Sequence, residues 1–203
     1  MAVGLIAAIA YLTWGEHQRQ TLDSQANRLS HLLNLKPGSI VAEIGAGNGD
    51  LTIRIAKRIG SSGTIYSTEL NPKQLNEIRN KVKSHNLTNV KVVQGTVNGT
   101  NLPPGCCDAI FMRSVYHHFT QPKRMNQSLI RSLQPNGLLA VIDFPPNWLL
   151  SFWKIEGVPA NRGGHGIKRE MLTDELTGAG FQVVRVVKNW DGDSYSVLFR
   201  KPK

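Results

Sequence analysis

The chain has only two cysteines in 203 residues, and they are neighbours, Cys106 and Cys107. That excludes a disulfide framework and a Cys-rich zinc module. Adjacent thiols also make a poor metal clamp, because tetrahedral sites space their ligands about two to four residues apart. Acids are scarce: 14 Asp+Glu stand against 24 Lys+Arg, a net charge of +10 with histidines neutral. Yet no stretch reaches the roughly five or six like charges of a nucleic-acid arm. The basic excess leaves nucleic acid, anionic lipid and acidic small molecules open as partners, beside plain solvation of the surface. There is no G-x-x-x-x-G-K-[ST] segment, so a P-loop is excluded, and there are no internal repeats or low-complexity stretches.

The apolar run 2–14 is too short to span a bilayer. As a helix it rises about 20 Å, against a hydrocarbon core of roughly 30 Å. It lacks the Lys/Arg that opens a secretory signal, although Ala8-Ile9-Ala10 has the form of a cleavage site. Residues 1–15 are set apart as a segment that packs, anchors or is cleaved, and 16–203 as one domain. If the segment anchors, Arg19 and Arg28 on its C-terminal side keep the domain in the cytoplasm. The expected location is cytoplasmic, with contact to a membrane surface left open.

What is present is a core-forming chain, 40% hydrophobic, too apolar for wholesale disorder. Leu22, Ala26, Leu29 and Leu33 mark an amphipathic helix over 16–34, which Lys36-Pro37-Gly38 stops. Strands are then expected at 40–44, 64–68, 90–93, 109–112, 138–143, 181–187 and 195–199. Helices are expected between them at 51–59, 72–84, 123–133 and 169–177, and Pro135-Asn136-Gly137 reads as a turn. Alternating strands and helices imply an α/β fold, a mostly parallel seven-stranded sheet with helices on both faces. The last two strands have too short a connection for a parallel return, so they must pair antiparallel.

The first strand ends in a glycine loop, Glu43-Ile44-Gly45-Ala46-Gly47-Asn48-Gly49-Asp50, which opens a helix. Glycines there allow a tight turn and close approach to a ligand at the helix N-terminus. A second acid, Glu69, ends the next strand, where a carboxylate can accept ribose hydroxyls. A dinucleotide fingerprint needs its third glycine at the position that Asp50 holds, and an acid beside a pyrophosphate is repulsive. Glu43 instead suits a ligand with a positive amino group and a sulfonium, which is S-adenosylmethionine.

On these residues the chain resembles the class I S-adenosylmethionine-dependent methyltransferases, over about residues 16–200. Within them it is most similar to the small-molecule branch that includes the ubiquinone/menaquinone C-methyltransferases. The resemblance implies a Rossmann-like fold with a C-terminal antiparallel strand. It also implies that Gly45, Ala46, Gly47 and Gly49 form the loop around the methionine part of the cofactor. Glu43 would hold the amino group, Glu69 the ribose and Leu70 the adenine. Gly95 and Thr96 follow the third strand, where the family often has an acid, so Thr96 departs from that pattern. Arg113, with Ser114, sits where the family contacts the methionine end.

The acceptor is expected at the carboxyl ends of the fourth and fifth strands. Tyr116-His117-His118-Phe119 follows the fourth strand. His117 and His118 are candidates for a base or an orienting group, or else anchor the loop. Neighbouring histidines rarely share one ion, so no metal is expected. Asp143, ending the fifth strand, is a third catalytic candidate. Tyr116, Trp148, Arg162 and His165 are candidate acceptor contacts, the last three in an irregular segment suited to a lid or wall. Amino-methylating enzymes place Asn/Asp-Pro-Pro-aromatic after the fourth strand, and this chain has Arg113-Ser114-Val115-Tyr116 there. The expected acceptor is therefore a small or lipid-like molecule. RNA or protein methylation and a non-catalytic cofactor-binding role are the competing readings. Oligomeric state is not legible.

Overall fold

The computed structural model describes residues 20–146 and 165–203. The apolar segment 1–15, Trp148 and Arg162 lie outside the described residues. The first element is a helix over 20–32, α1, which buries Ala26 and Leu29. After it come β1 (Ile40–Ile44), α2 (Asp50–Ile59), β2 (Thr64–Glu69), α3 (Pro72–Ser84), β3 (Val90–Gln94) and β4 (Cys107–Arg113). A 3₁₀ turn, Tyr116–His118, leads to α4 (Pro122–Ser132), β5 (Leu133–Asp143), α5 (Arg169–Gly178), β6 (Gln182–Val187) and β7 (Tyr195–Arg200). The strands form one sheet in the order β3-β2-β1-β4-β5-β7-β6. β1 to β5 pair parallel, and β7 runs antiparallel between β5 and β6. The α/β architecture and its antiparallel C-terminal pair agree with the sequence pattern.

Alternation along the central strands builds a core on each face of the sheet. Ile110, Met112, Leu139, Val141, Val197 and Phe199 point to the side packed by α4 and α5. Ala109, Phe111, Ala140, Ile142 and Leu198 point to the side packed by α1 and α2. Both faces are covered, so these strands read as continuous apolar runs rather than alternating ones. β5 departs from the sequence reading. It starts at Leu133, and Pro135-Asn136-Gly137 is a bulge inside it rather than a turn before it. Its register advances from Leu133 to Leu138 while β4 advances only from Cys107 to Ala109. Asn136 takes the left-handed conformation, at φ 63°, that an amide side chain tolerates.

The topology places the site. Order reverses between β1 and β4, which leave the loops after them on opposite faces and open a crevice at their carboxyl ends. Helices start there: Asn71 caps α3 by accepting from the Lys73 amide at 2.9 Å, and proline stands in the first turn of α3 and of α4. Among the described residues no helix is long and apolar enough to cross a membrane.

Candidate active site

A cavity of about 550 Å³ opens at the carboxyl ends of β1, β2 and β4, within the size range of small-ligand sites. Its floor is the glycine loop. Gly45 has φ +68°, and a Cβ there would lie 2.5 Å from a Val115 methyl group, so no side chain fits. Gly47 is the opposite case. A Cβ there would meet nothing within 4 Å, leaving its left-handed turn open to a ligand. Gly49, at φ +80°, caps α2 and packs against Ile78; it shapes the loop without lining the cavity. Glu43, Gly45, Ala46, Gly47, Glu69, Leu70, Gly95, Thr96 and Arg113 all line the cavity.

Glu69 is held by backbone N–H groups. Its Oε1 accepts from Leu70 at 2.7 Å and Asn71 at 3.2 Å, and its Oε2 accepts from Gly47 at 2.9 Å. Each carboxylate oxygen has about two acceptor sites. Oε2 therefore keeps one for a ribose hydroxyl, and taking both hydroxyls requires one N–H to be released. Across the mouth, the Thr96 hydroxyl donates to the Gly99 carbonyl at 3.1 Å, which leaves its oxygen free to accept.

Glu43 is 4% exposed. Its Oε2 accepts from the Thr52 hydroxyl at 2.5 Å, and that hydroxyl lies 2.8 Å from Ser67 Oγ. Burial pushes its pKa up to about 8, against the opposing pull of Thr52 and of the Arg113 charge. The sequence reading missed Thr52 and Ser67. The available signal was a hydroxyl on the buried face of α2, between Leu51 and Ile55, which calls for a buried partner.

The linkage gives a first prediction. The folded, cofactor-free protein keeps a proton on Glu43 that the unfolded chain releases near pH 4.5. Glu43 therefore lowers stability as pH rises through that window to about 8. A ligand bearing a positive amino group favours the ionised form. Its affinity should rise about tenfold per pH unit between about pH 5.5 and 7.5, where the amino group stays charged. Calorimetry in buffers of different ionisation enthalpy checks this, together with a proton released on binding. A pH-independent affinity in the wild type, equal to that of Glu43→Gln, overturns the assignment.

Part of the cavity wall is apolar: Val115, Phe119 and Met125 line it together with His118. His118 is exposed to the cavity. Loss of water around it and the neighbouring His117 lower its pKa to about 4, so it is neutral at pH 7. His117 and Asp143 do not line the cavity. Both are buried, with Asp143 0% exposed. Asp143 Oδ1 accepts from His117 Nδ1 at 2.8 Å and the Phe144 amide at 2.9 Å, and Oδ2 accepts from the His117 amide at 3.2 Å. The carboxyl that sequence placed facing the cleft fastens the loop after β4 instead. The His117 ring stacks against His118, with centroids 4.0 Å apart, and meets His165 edge-on at 5.1 Å.

Tyr116 is likewise a core residue rather than a cavity wall. Its ring is fully buried, and its hydroxyl donates to Glu175 at 2.9 Å and accepts from Asn126 at 2.8 Å. The 3₁₀ turn decides this: it sends residues 116 and 117 inward and 118 outward. His165 stands beside His117 and His118 without lining the cavity. Among the described residues no cluster of His, Cys, Asp and Glu could hold a metal ion.

Known proteins share this arrangement. Residues 41–137 match the family model of a methyltransferase domain. The ubiquinone/menaquinone biosynthesis C-methyltransferase of Marinomonas sp. (strain MWYL1) is 30% identical over 120 residues, 58% of this chain and 48% of that protein. Its namesake from Vibrio campbellii is 29% identical over 110 residues, 54% and 42% of the two chains. The chain thus spans about half the length of the curated relatives it matches. A SAM-dependent methyltransferase from Aquifex aeolicus superposes with a TM-score of 0.73 at 26% identity, covering 86% of this chain and 88% of that one. The same fold, at TM-score 0.73 and 16% identity over 89% and 81% of the two chains, carries the [4+2]-cyclase SpnF, so fold alone does not fix chemistry. Sheet order, loop chemistry and relatives converge: residues 41–137 match a methyltransferase domain, and the chain resembles the class I S-adenosylmethionine-dependent methyltransferases, among them the ubiquinone/menaquinone C-methyltransferases.

Proposed function

We propose that this protein transfers a methyl group from S-adenosylmethionine to a small apolar acceptor of phenolic or quinol-like chemistry. The observation that carries this reading is the lining of the cavity at the carboxyl ends of β1, β2 and β4. Two acids and an open glycine turn line it together with the apolar Val115, Phe119 and Met125 and one neutral imidazole, His118. The names of the curated relatives point to the same acceptor class.

Bound S-adenosylmethionine supplies an electrophilic methyl group on a positively charged sulfur. The chain's residues do the rest. Glu43, Gly47 and Glu69 fix the cofactor's amino, backbone-facing and ribose groups, and Leu70, half exposed at the mouth, covers adenine. Val115, Phe119 and Met125 keep water from the acceptor ring, so that the nucleophilic carbon is held in line. As the ring carbon would take the methyl group, the methyl–sulfur bond would break with its electron pair left on sulfur, and that carbon would carry both methyl and hydrogen. His118 takes the proton, and the ring recovers its aromaticity. The carbon acid is strong at that stage, so a weak base suffices.

The test is transfer of labelled methyl from the cofactor into host extract, followed by separation of organic, small aqueous, RNA and protein fractions. Label is expected in the organic fraction. Label confined to RNA or protein overturns the acceptor class and gives the basic charge a different purpose. Glu69→Ala is the control and a prediction in its own right. Losing hydrogen bonds to a charged group costs about 1–3 kcal/mol, so cofactor affinity should fall roughly 5- to 150-fold by calorimetry. Unchanged affinity removes Glu69 from the ribose site.

A further inference from the structure

Helix N-termini carry partial positive charge, so acids suit their first turns and cations do not. α2 follows the rule with Asp50. α3 and α4 have no acid in the first turn. Lys73 stands in the first, Lys123 and Arg124 in the second, and all three are exposed. α5 begins after exposed Lys168, while Arg169 is paired with Glu170 at 2.6 Å. Cations at the other edge of the sheet, such as Lys57, Arg58 and Arg131, occupy last turns, where the dipole favours them. No ion pair among the described residues involves Lys73, Lys123, Arg124 or Lys168.

These cations stand at helix starts, on the carboxyl edge of the sheet where the cavity opens. Gln74 lines it beside Lys73, and Thr120 and Met125 line it on either side of Lys123 and Arg124. Lys168 follows His165, whose ring lies 6.4 Å from that of His118. The acids at this edge include Glu43 and Glu69 inside the cavity, Asp50 paired with Lys81, Glu170 paired with Arg169, and Asp191 and Asp193 in the β6–β7 turn, where Asp191 accepts from Gln25 at 2.6 Å.

We propose that this edge docks on an anionic lipid surface, with headgroup phosphates against Lys73, Lys123, Arg124 and Lys168 and the cavity mouth turned toward the bilayer. Single-stranded nucleic acid would be met by exposed aromatic rings for stacking. The exposed large hydrophobics among the described residues are all aliphatic: Leu70, Val97, Val183, Val184 and Val186. Leu70 and Val97 line the mouth itself. Exposed cations on the same edge as exposed aliphatic groups are the chemistry of an interfacial surface. The arrangement would also let an apolar acceptor enter from the lipid without crossing water. Binding is read without cofactor, so it stands or falls apart from the methyl-transfer reading.

The experiment is co-sedimentation of the full chain with phosphatidylcholine vesicles, with and without about a third phosphatidylserine. Each basic residue near an anionic surface contributes roughly fivefold in partitioning. Lys123→Gln/Arg124→Gln should therefore weaken binding to the anionic vesicles by about 25-fold. Lys57→Gln/Arg131→Gln removes the same charge from the opposite edge and should change it less than about threefold. Binding to both vesicle types alike, equal losses in both double variants, or no vesicle binding beside salt-sensitive binding to polyuridylate each overturns the proposal.

Discussion

Asp143→Ala should cost the fold about 3–5 kcal/mol, the range for removing one partner of a buried polar pair. The carboxyl is fully buried and accepts three hydrogen bonds, from the His117 ring, the His117 amide and the Phe144 amide. Alanine would leave all three donors in the interior without an acceptor, and each orphaned group costs about 1–3 kcal/mol before relaxation. Urea denaturation measures the loss. Asp143→Asn keeps one oxygen and should lose less than half as much. The loop that Asp143 fastens carries Val115, which contacts Gly45, and His118, which lines the cavity. Turnover should therefore fall in both variants in proportion to the disorder introduced. Full stability with turnover abolished would instead make Asp143 a group that touches the reacting atoms.

Asp143 shows where sequence reading stops. Its position at the end of β5 was legible, because the apolar run 138–142 ends in a carboxyl. Whether that carboxyl faces ligand or core depends on what arrives from the next loop. That is His117, brought in from after β4 by a turn too short to show a period. The same 3₁₀ turn decides that Tyr116 packs inward against Asn126 and Glu175 and that His118 alone reaches the cavity. The glycine loop was legible for the opposite reason. Its constraints are local: positive φ at Gly45, Gly47 and Gly49 is written directly into residue type. Glu43 and Glu69 lie at strand ends on the same side of a parallel sheet, so their convergence follows from topology. The bulge at Pro135-Asn136-Gly137 was read as a turn because its composition is that of a turn. Only pairing with β4 makes it part of a strand.

His118 carries the largest catalytic prediction. His118→Ala should lower turnover about 10²–10³-fold, within the lower part of what a positioned base contributes. Cofactor affinity should stay within about twofold, because His118 is not among the groups assigned to the cofactor. The pH profile separates a base from a spacer. Loss of water and then the neighbouring His117 hold the imidazole at about 4, so its neutral, proton-accepting form persists above that pH. At saturating cofactor the acid limb of turnover should therefore lie near pH 4, far below the ordinary imidazole range. A limb near pH 6.5 would point to a different histidine. His118→Gln fills the same space with a group that accepts a hydrogen bond but takes no proton. If His118 only orients the acceptor, glutamine should restore most of the turnover. If it receives the ring proton, the glutamine variant should stay as slow as the alanine one, and a primary isotope effect should appear with an acceptor deuterated at the methylated carbon.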